Sequence, residues 1–308
     1  MDPKRALIVL ALAFGLAACA GRETERLVAH PDGRPWVARV AEVPFFPQTE
    51  RACGPASLAM MLVWSGLPAS PETLSTQVYT PGREGSLATD MLAGARRNGR
   101  LAVPVRDLPD LLTELAAGNP VLVFQNLGLE ISPVWHFAVA VGYDLPERKI
   151  ILHSGLEEGQ RLSMDTFEHS WERAGRWALV VLPPDRLPAT ATEPAVLAAA
   201  AGLERVGLTG PAAQAYQTAL ARWSGSLGAA MGLGNVRYAQ NDRRGAEAAF
   251  RLAVKGHPDS AAGWNNLAHV LLEQGRVKEA RAAADKAFAL DGEQEAIAAT
   301  REAALQAK

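Results

Sequence analysis

The sequence predicts an α+β domain followed by an all-α solenoid. Three observations carry this. Between Ala41 and Pro184, segments with helical spacing come first and short β-branched runs follow, the order of an α+β domain. Residues 185–194, rich in Pro, Thr and Ala, then read as a linker. Beyond it, residues 195–308 are helical in pattern and align with themselves at a spacing of 34 residues. A length of 308 residues suits two domains, and 48% hydrophobic with 21% charged residues is a globular balance.

The amino terminus carries its own signature. Lys4 and Arg5 precede thirteen uncharged residues, Ala6 to Ala18, a run too short to span a bilayer comfortably. Leu16-Ala17-Ala18-Cys19 resembles the lipobox of bacterial lipoproteins. That resemblance implies removal of residues 1–18 as a signal peptide and a diacylglyceryl group on Cys19. An ordinary secretory signal with Cys19 just past its cleavage site is the alternative. Ala20, rather than Asp, after the cysteine implies by the same analogy an outer-membrane location facing the periplasm. Residues 19–40, polar and broken by Gly33 and Pro35, read as a tether.

The first domain, residues 41–184, begins extended at Val43-Pro44-Phe45-Phe46. A helix starts at Cys53, where Gly54 permits a tight turn and Pro55 suits the first helical position. Ala56, Leu58, Ala59, Met60, Met61, Leu62 and Trp64 make it apolar nearly all round, so it is expected to be buried. Ser70–Leu74 and Ser86–Arg96 open on Ser with acids nearby and predict two more helices; Leu111–Ala117 predicts a short one. Pro120–Gln125, Trp135–Gly142, Lys149–His153 and Trp177–Leu182 read as strands of an antiparallel sheet, with a hairpin over Asp144–Arg148.

In the second domain, Leu233 aligns with Leu267, Ala246 with Ala280 and Ala249 with Ala283. Asn265-Asn266-Leu267-Ala268-His269 followed by Gly275–Arg281 resembles the tetratricopeptide repeat (TPR). Repeats are expected over about 195–225, 226–259 and 260–292, with a capping helix after Glu293. The resemblance implies a groove that binds a protein partner.

The chemistry centres on Cys53. Cys19 and Cys53 are the two cysteines, so acylation of Cys19 leaves Cys53 without a disulfide partner. A thiol at a helix entrance meets the dipole and free N–H groups, so its pKa is expected below that of free cysteine. Gln48 carries an amide suited to an oxyanion. The plainer reading of a lone cysteine is a small core residue. Gln48…Ala52-Cys53-Gly54-Pro55-Ala56 resembles the nucleophile segment of C39-like cysteine peptidases, papain-like relatives of the domains that cleave double-glycine leader peptides. The resemblance spans about Ala41 to Pro184. It implies a papain-like fold, a Cys–His pair, an oxyanion glutamine and a third group that orients the histidine.

His136, in Trp135-His136-Phe137-Ala138-Val139, resembles the family's histidine and is expected to pair with Cys53 as general base. The family's orienting Asp has no counterpart here: Ser154 stands at that position and His153 at the preceding one. Ser154, His153 and Asp144 all remain candidates. A serine accepts the ring N–H but lacks the charge that stabilises imidazolium.

The expected function is that of a lipid-anchored cell-envelope cysteine peptidase with a TPR interaction module. A pseudopeptidase used as a binding scaffold is the alternative, and acyl transfer in place of hydrolysis is a third reading. Partners are then a peptide or protein substrate, a protein in the repeat groove, and the membrane through Cys19. A formal charge of -2, with no basic run, argues against nucleic acid. No metal-ligand or phosphate-loop motif occurs, so no metal and no cofactor is expected.

Overall fold

The computed structural model describes residues 21–48 and 52–307, so the expected signal peptide and Cys19 lie outside the described residues. The chain divides into two units, the first mostly up to Leu182 and the second mostly from Ala191 onward. In chain order the first contains α1 (Arg22–Ala29), β1 (Val37–Arg39), α2 (Cys53–Trp64), α3 (Pro71–Val78), α4 (Ala88–Arg97), β2 (Leu101–Pro104) and α5 (Leu108–Ala116). It continues with β3 (Val121–Asn126), β4 (Trp135–Asp144), β5 (Lys149–Ser154), β6 (Glu157–Ser163), α6 (Met164–Glu172) and β7 (Ala178–Leu182).

These strands form one sheet in the order β2-β7-β3-β4-β5-β6, with β1 added beside the far half of β4. The first half of β4 pairs antiparallel with β3, placing Gln125 opposite His136. Its second half pairs with β5, from Val139 opposite His153 to Asp144 opposite Lys149. Pairing with β5 therefore stops at Val139, and residues 135–138 of β4 have no strand on that side. β2, β6 and α6 have no counterpart among the sequence-derived elements. β6 is a half-exposed edge strand of mostly polar residues, without the apolar run that marks a buried strand.

α2 is buried from Cys53 to Leu62, as its all-round apolar sequence requires. Gly66, at φ +88°, ends it, and the Leu67 N–H returns to the Leu62 carbonyl. Leu58, Met61, Val121, Val139, Phe167 and Trp171 share one core. Met61→Ala there costs about 2–5 kcal/mol.

The expected tether over residues 19–40 is corrected from Arg22 onward, where the chain folds as α1 with Leu27 fully buried. An eight-residue polar segment does not hold a helix by itself; tertiary contacts supply what the sequence lacks. Glu168 of α6, itself buried, accepts the Thr24 N–H at 3.0 Å, the Thr24 hydroxyl at 2.8 Å and the Glu23 N–H at 3.1 Å. A carboxylate there satisfies the open N–H groups and opposes the helix dipole. The Gly21 N–H donates to Asp165 at 2.8 Å, and Arg176 pairs with Glu23 at 2.6 Å.

The second unit holds α7 (Glu193–Arg205), α8 (Thr209–Arg222), α9 (Leu227–Ala239), α10 (Arg243–Gly256), α11 (Ala261–Glu273), α12 (Val277–Asp291) and α13 (Glu295–Gln306). Its period is visible in the backbone. Gly207, Asn241 and Gly275, at φ 77°, 63° and 73°, each follow the first helix of a pair and stand 34 residues apart. Ser226 and Ser260, with the same spacing, cap α9 and α11 by accepting the N–H of Ala229 and Gly263. A Cβ on Gly234 would collide with the Phe250 ring, so the small residue lets the two helices close. In the expected linker, Ala189 and Thr190 are tied down within the first unit, donating to the buried Glu114 at 3.1 and 2.7 Å.

Glu168→Ala would leave the buried Thr24 N–H and hydroxyl without an acceptor and is expected to cost about 2–3 kcal/mol in urea denaturation. Glu168→Gln keeps an acceptor oxygen and should lose less. Equal losses for the two would contradict this account of α1.

Candidate active site

The unpaired stretch of β4 is where α2 begins. The backbone N–H of Phe137, on the side of β4 that β5 leaves bare, is close enough to the Cys53 sulfur to favour its thiolate. Gly54 is required beside it, since a Cβ there would run into the Ser86 side chain. Among the described residues Cys53 is the one cysteine, and it is buried.

His136 immediately precedes Phe137 on the same strand. Its Nε2 lies 2.9 Å from Ser154 Oγ, the end of β5, so Nδ1 is the ring nitrogen not engaged by that contact. Ser154 is thus the candidate that reaches the ring. His153 uses both its nitrogens elsewhere: Nε2–H donates to the Val43 carbonyl at 3.2 Å, and Nδ1 accepts the Gly159 N–H at 3.1 Å. Asp144 lies eight residues along β4, about 26 Å away at strand rise, and pairs with Arg161.

Gln48 is buried and doubly fastened. Its N–H donates to the Gly155 carbonyl at 2.8 Å, and its Oε1 accepts the Gly155 N–H at 3.1 Å. Its Nε2 donates to Ser57 Oγ, one helical turn beyond Cys53, at 2.9 Å. That leaves a second amide hydrogen. Gly155 follows Ser154, so Gln48, Ser154 and α2 are held by one short set of bonds.

The electrostatics reverse one expectation. Burial pushes the Cys53 thiol up, outweighing the N–H groups of Phe137, Gly54 and Cys53 itself that favour thiolate. Burial also pushes His136 down. Both shifts favour an uncharged thiol and an uncharged imidazole, whereas the helix entrance alone argued for thiolate. For His136 the shift has a stability sign: its contribution is present above the unfolded value of about 6.5 and is lost as pH falls through the lower folded value. His153 is lowered as well, first by burial, and adds to the same acid-side loss.

A cleft of about 690 Å³ opens beside Cys53. One wall is aromatic, from Phe124, Trp135 and Phe137; the other is the segment from Arg83 to Thr89. Sequence reading missed this second wall and the Phe137 N–H. Trp135 and Phe137 flanking the histidine were the visible signal for the aromatic one. Among the described residues no group of His, Cys, Asp or Glu is placed to hold a metal ion.

Comparison with known proteins gives two family matches. Residues 40–179 match the model of the Peptidase_C39 like family, and residues 231–295 that of the tetratricopeptide repeat. No curated protein matches the chain. A Bacillus anthracis structure provisionally described as a C39-like peptidase is 19% identical with a TM-score of 0.42, over 47% of this chain and 97% of that one. The TPR domain of Aspergillus fumigatus Sgt2 is 16% identical with a TM-score of 0.36, over 37% and 77%. The Yersinia enterocolitica type III secretion chaperone SycD, solved with a peptide of the translocator YopD, is 17% identical with a TM-score of 0.34, over 36% and 89%.

Alkylation of Cys53 by iodoacetamide, followed against pH in a Cys19→Ser background, should have its midpoint above the free-cysteine value of about 8.5. A midpoint well below that value would show that the helix entrance outweighs burial.

Proposed function

With residues 40–179 forming a domain of the Peptidase_C39 like family and a tetratricopeptide array following it, we propose that the chain is a lipid-anchored cysteine peptidase of the bacterial cell envelope. One observation carries the reading: Cys53 enters α2 beside the backbone N–H of Phe137, the residue next to His136, whose Nε2 lies 2.9 Å from Ser154 Oγ.

The substrate peptide lies in the cleft with its carbonyl carbon over the sulfur. His136 Nδ1 takes the thiol proton as the C–S bond forms, so charge appears only when the substrate is in place. The free amide hydrogen of Gln48 and the Cys53 N–H hold the oxyanion. Collapse expels the amine, which leaves with the proton from His136, and a thioester remains on Cys53. Water, deprotonated by His136, then releases the acid. Ser154 accepts the Nε2–H and keeps Nδ1 aimed at the sulfur. Lacking charge, it stabilises imidazolium less than a carboxylate does.

The same neutral orienter and the raised thiol favour a second reading, a pseudopeptidase that binds peptides without cutting them. Cys19 carries the acyl anchor, and the mature protein sits at the outer membrane, facing the periplasm. The repeat hollow of about 330 Å³, lined by Asn235, Tyr238, Asn265, Asn266 and His269, takes a protein partner.

Digestion of a complex peptide mixture, with new termini read by mass spectrometry, separates the readings. Cys53→Ala and His136→Ala should each abolish cleavage, losses of about 10³-fold or more. Ser154→Ala should lower turnover by about 10-fold and Ser154→Asp should raise it. Wild type with no cleavage at all would leave the binding scaffold standing. Cys19→Ser should move the protein out of the membrane fraction; retention there with normal maturation would contradict the anchor.

A further inference from the structure

The hairpin joining β3 to β4 runs out from the cleft and is strongly apolar where it meets water. Leu127 is 51% exposed, Leu129 66%, Ile131 92%, Val134 55% and Trp135 52%. Scattered surface apolar residues need no cause, but five within nine positions form a patch of the kind that marks a binding surface. The patch is continuous with the cleft, because Trp135 stacks on Phe124 at 5.3 Å and Phe124 on Phe137 at 4.4 Å. All three rings line the cleft with Cys53.

Nor is the hairpin a loose loop. Asn126 Oδ1 accepts the N–H of Gly128 at 3.0 Å and of Val134 at 2.9 Å, and the Leu127 N–H donates to the Val134 carbonyl at 2.8 Å. Arg173 donates to the Asn126 carbonyl at 3.0 Å, fixing the base of the hairpin to the end of α6. The apolar side chains are thus presented on a backbone already in place, which lowers the ordering cost of binding.

We propose that residues 127–135 form an apolar lip that seats the substrate itself: an extended polypeptide segment with large apolar side chains flanking the bond to be cut. The occupant rests on the peptidase reading above and on the continuity of lip and cleft. A lipid surface fits the geometry less well. Gly21 bonds Asp165, which pairs at 3.0 Å with Arg148 in the turn beyond the far end of β4. Trp135 and His136 begin β4 at the other end, about 26 Å away at strand rise, so an anchor on the chain before Gly21 would enter far from the lip.

Protection of Cys53 from iodoacetamide tests this without requiring turnover. The full chain with Cys19→Ser is alkylated with and without two nonapeptides, one rich in Phe and Leu and the other with Ser at those positions. The apolar peptide should slow alkylation about tenfold at a concentration where its Ser counterpart does little. Leu129→Ser with Ile131→Ser, substitutions at exposed positions, should remove most of that protection, read as the ratio of rates with and without peptide. Equal protection by both peptides, or protection untouched by the double substitution, would overturn the proposal. Loss of binding to anionic vesicles in the double variant, with protection intact, would assign the lip to the membrane and also overturn it. Intact selective protection in a chain that cleaves nothing would instead sink the peptidase reading and leave the lip in place.

Discussion

β4 runs past the end of β5, and on that bare edge the N–H of Phe137 has no strand to bond. The Cys53 sulfur stands beside that amide, which favours its charged form. The start of α2 is thus placed next to the residue that follows His136. Ser154, the last residue of β5, meets His136 Nε2 where β5 stops. Gly155 then bonds Gln48, and Gln48 reaches back to Ser57 on α2. Extending β5 by two residues would fill the gap in which the site is assembled.

The enclosure that makes this arrangement firm also sets its charge. Burial raises the thiol and lowers the imidazole, so the free site holds its proton on sulfur. A carboxylate beside His136 would oppose that by favouring imidazolium; Ser154 does not. Under the proposed function, ionisation is coupled to substrate entry, which excludes water and places an electrophile on the sulfur. Remaining protonated until occupied also limits adventitious oxidation, since the thiolate is the reactive form.

Much of this was legible in the sequence, for reasons that can be named. The Cys53 helix is so uniformly apolar that only a buried position suits it, and His136 sits in a run readable as a strand. The 34-residue period survives because each repeat needs a positive φ after its first helix, met by Gly207, Asn241 and Gly275. α1 was hidden because its capping group, Glu168, is about 145 residues away and local propensity is silent about it. β6 was hidden because a half-exposed edge strand carries little apolar pattern. The direction of the Cys53 shift was misjudged because a helix entrance is a local feature, whereas desolvation depends on everything packed around it. Ser154 as the His136 partner could be narrowed only once the ring contacts of His153 were seen.

The central proposal is that His136 presents Nδ1, unprotonated, to Cys53 while Nε2–H is held by Ser154. Long-range ¹⁵N–¹H correlation of the His136 ring in the resting protein at neutral pH tests it most directly. The account predicts a neutral ring protonated at Nε2, with the Nδ1 resonance moving when Cys53 is carboxamidomethylated. A ring protonated at Nδ1, or an Nδ1 resonance indifferent to modification of Cys53, would contradict it.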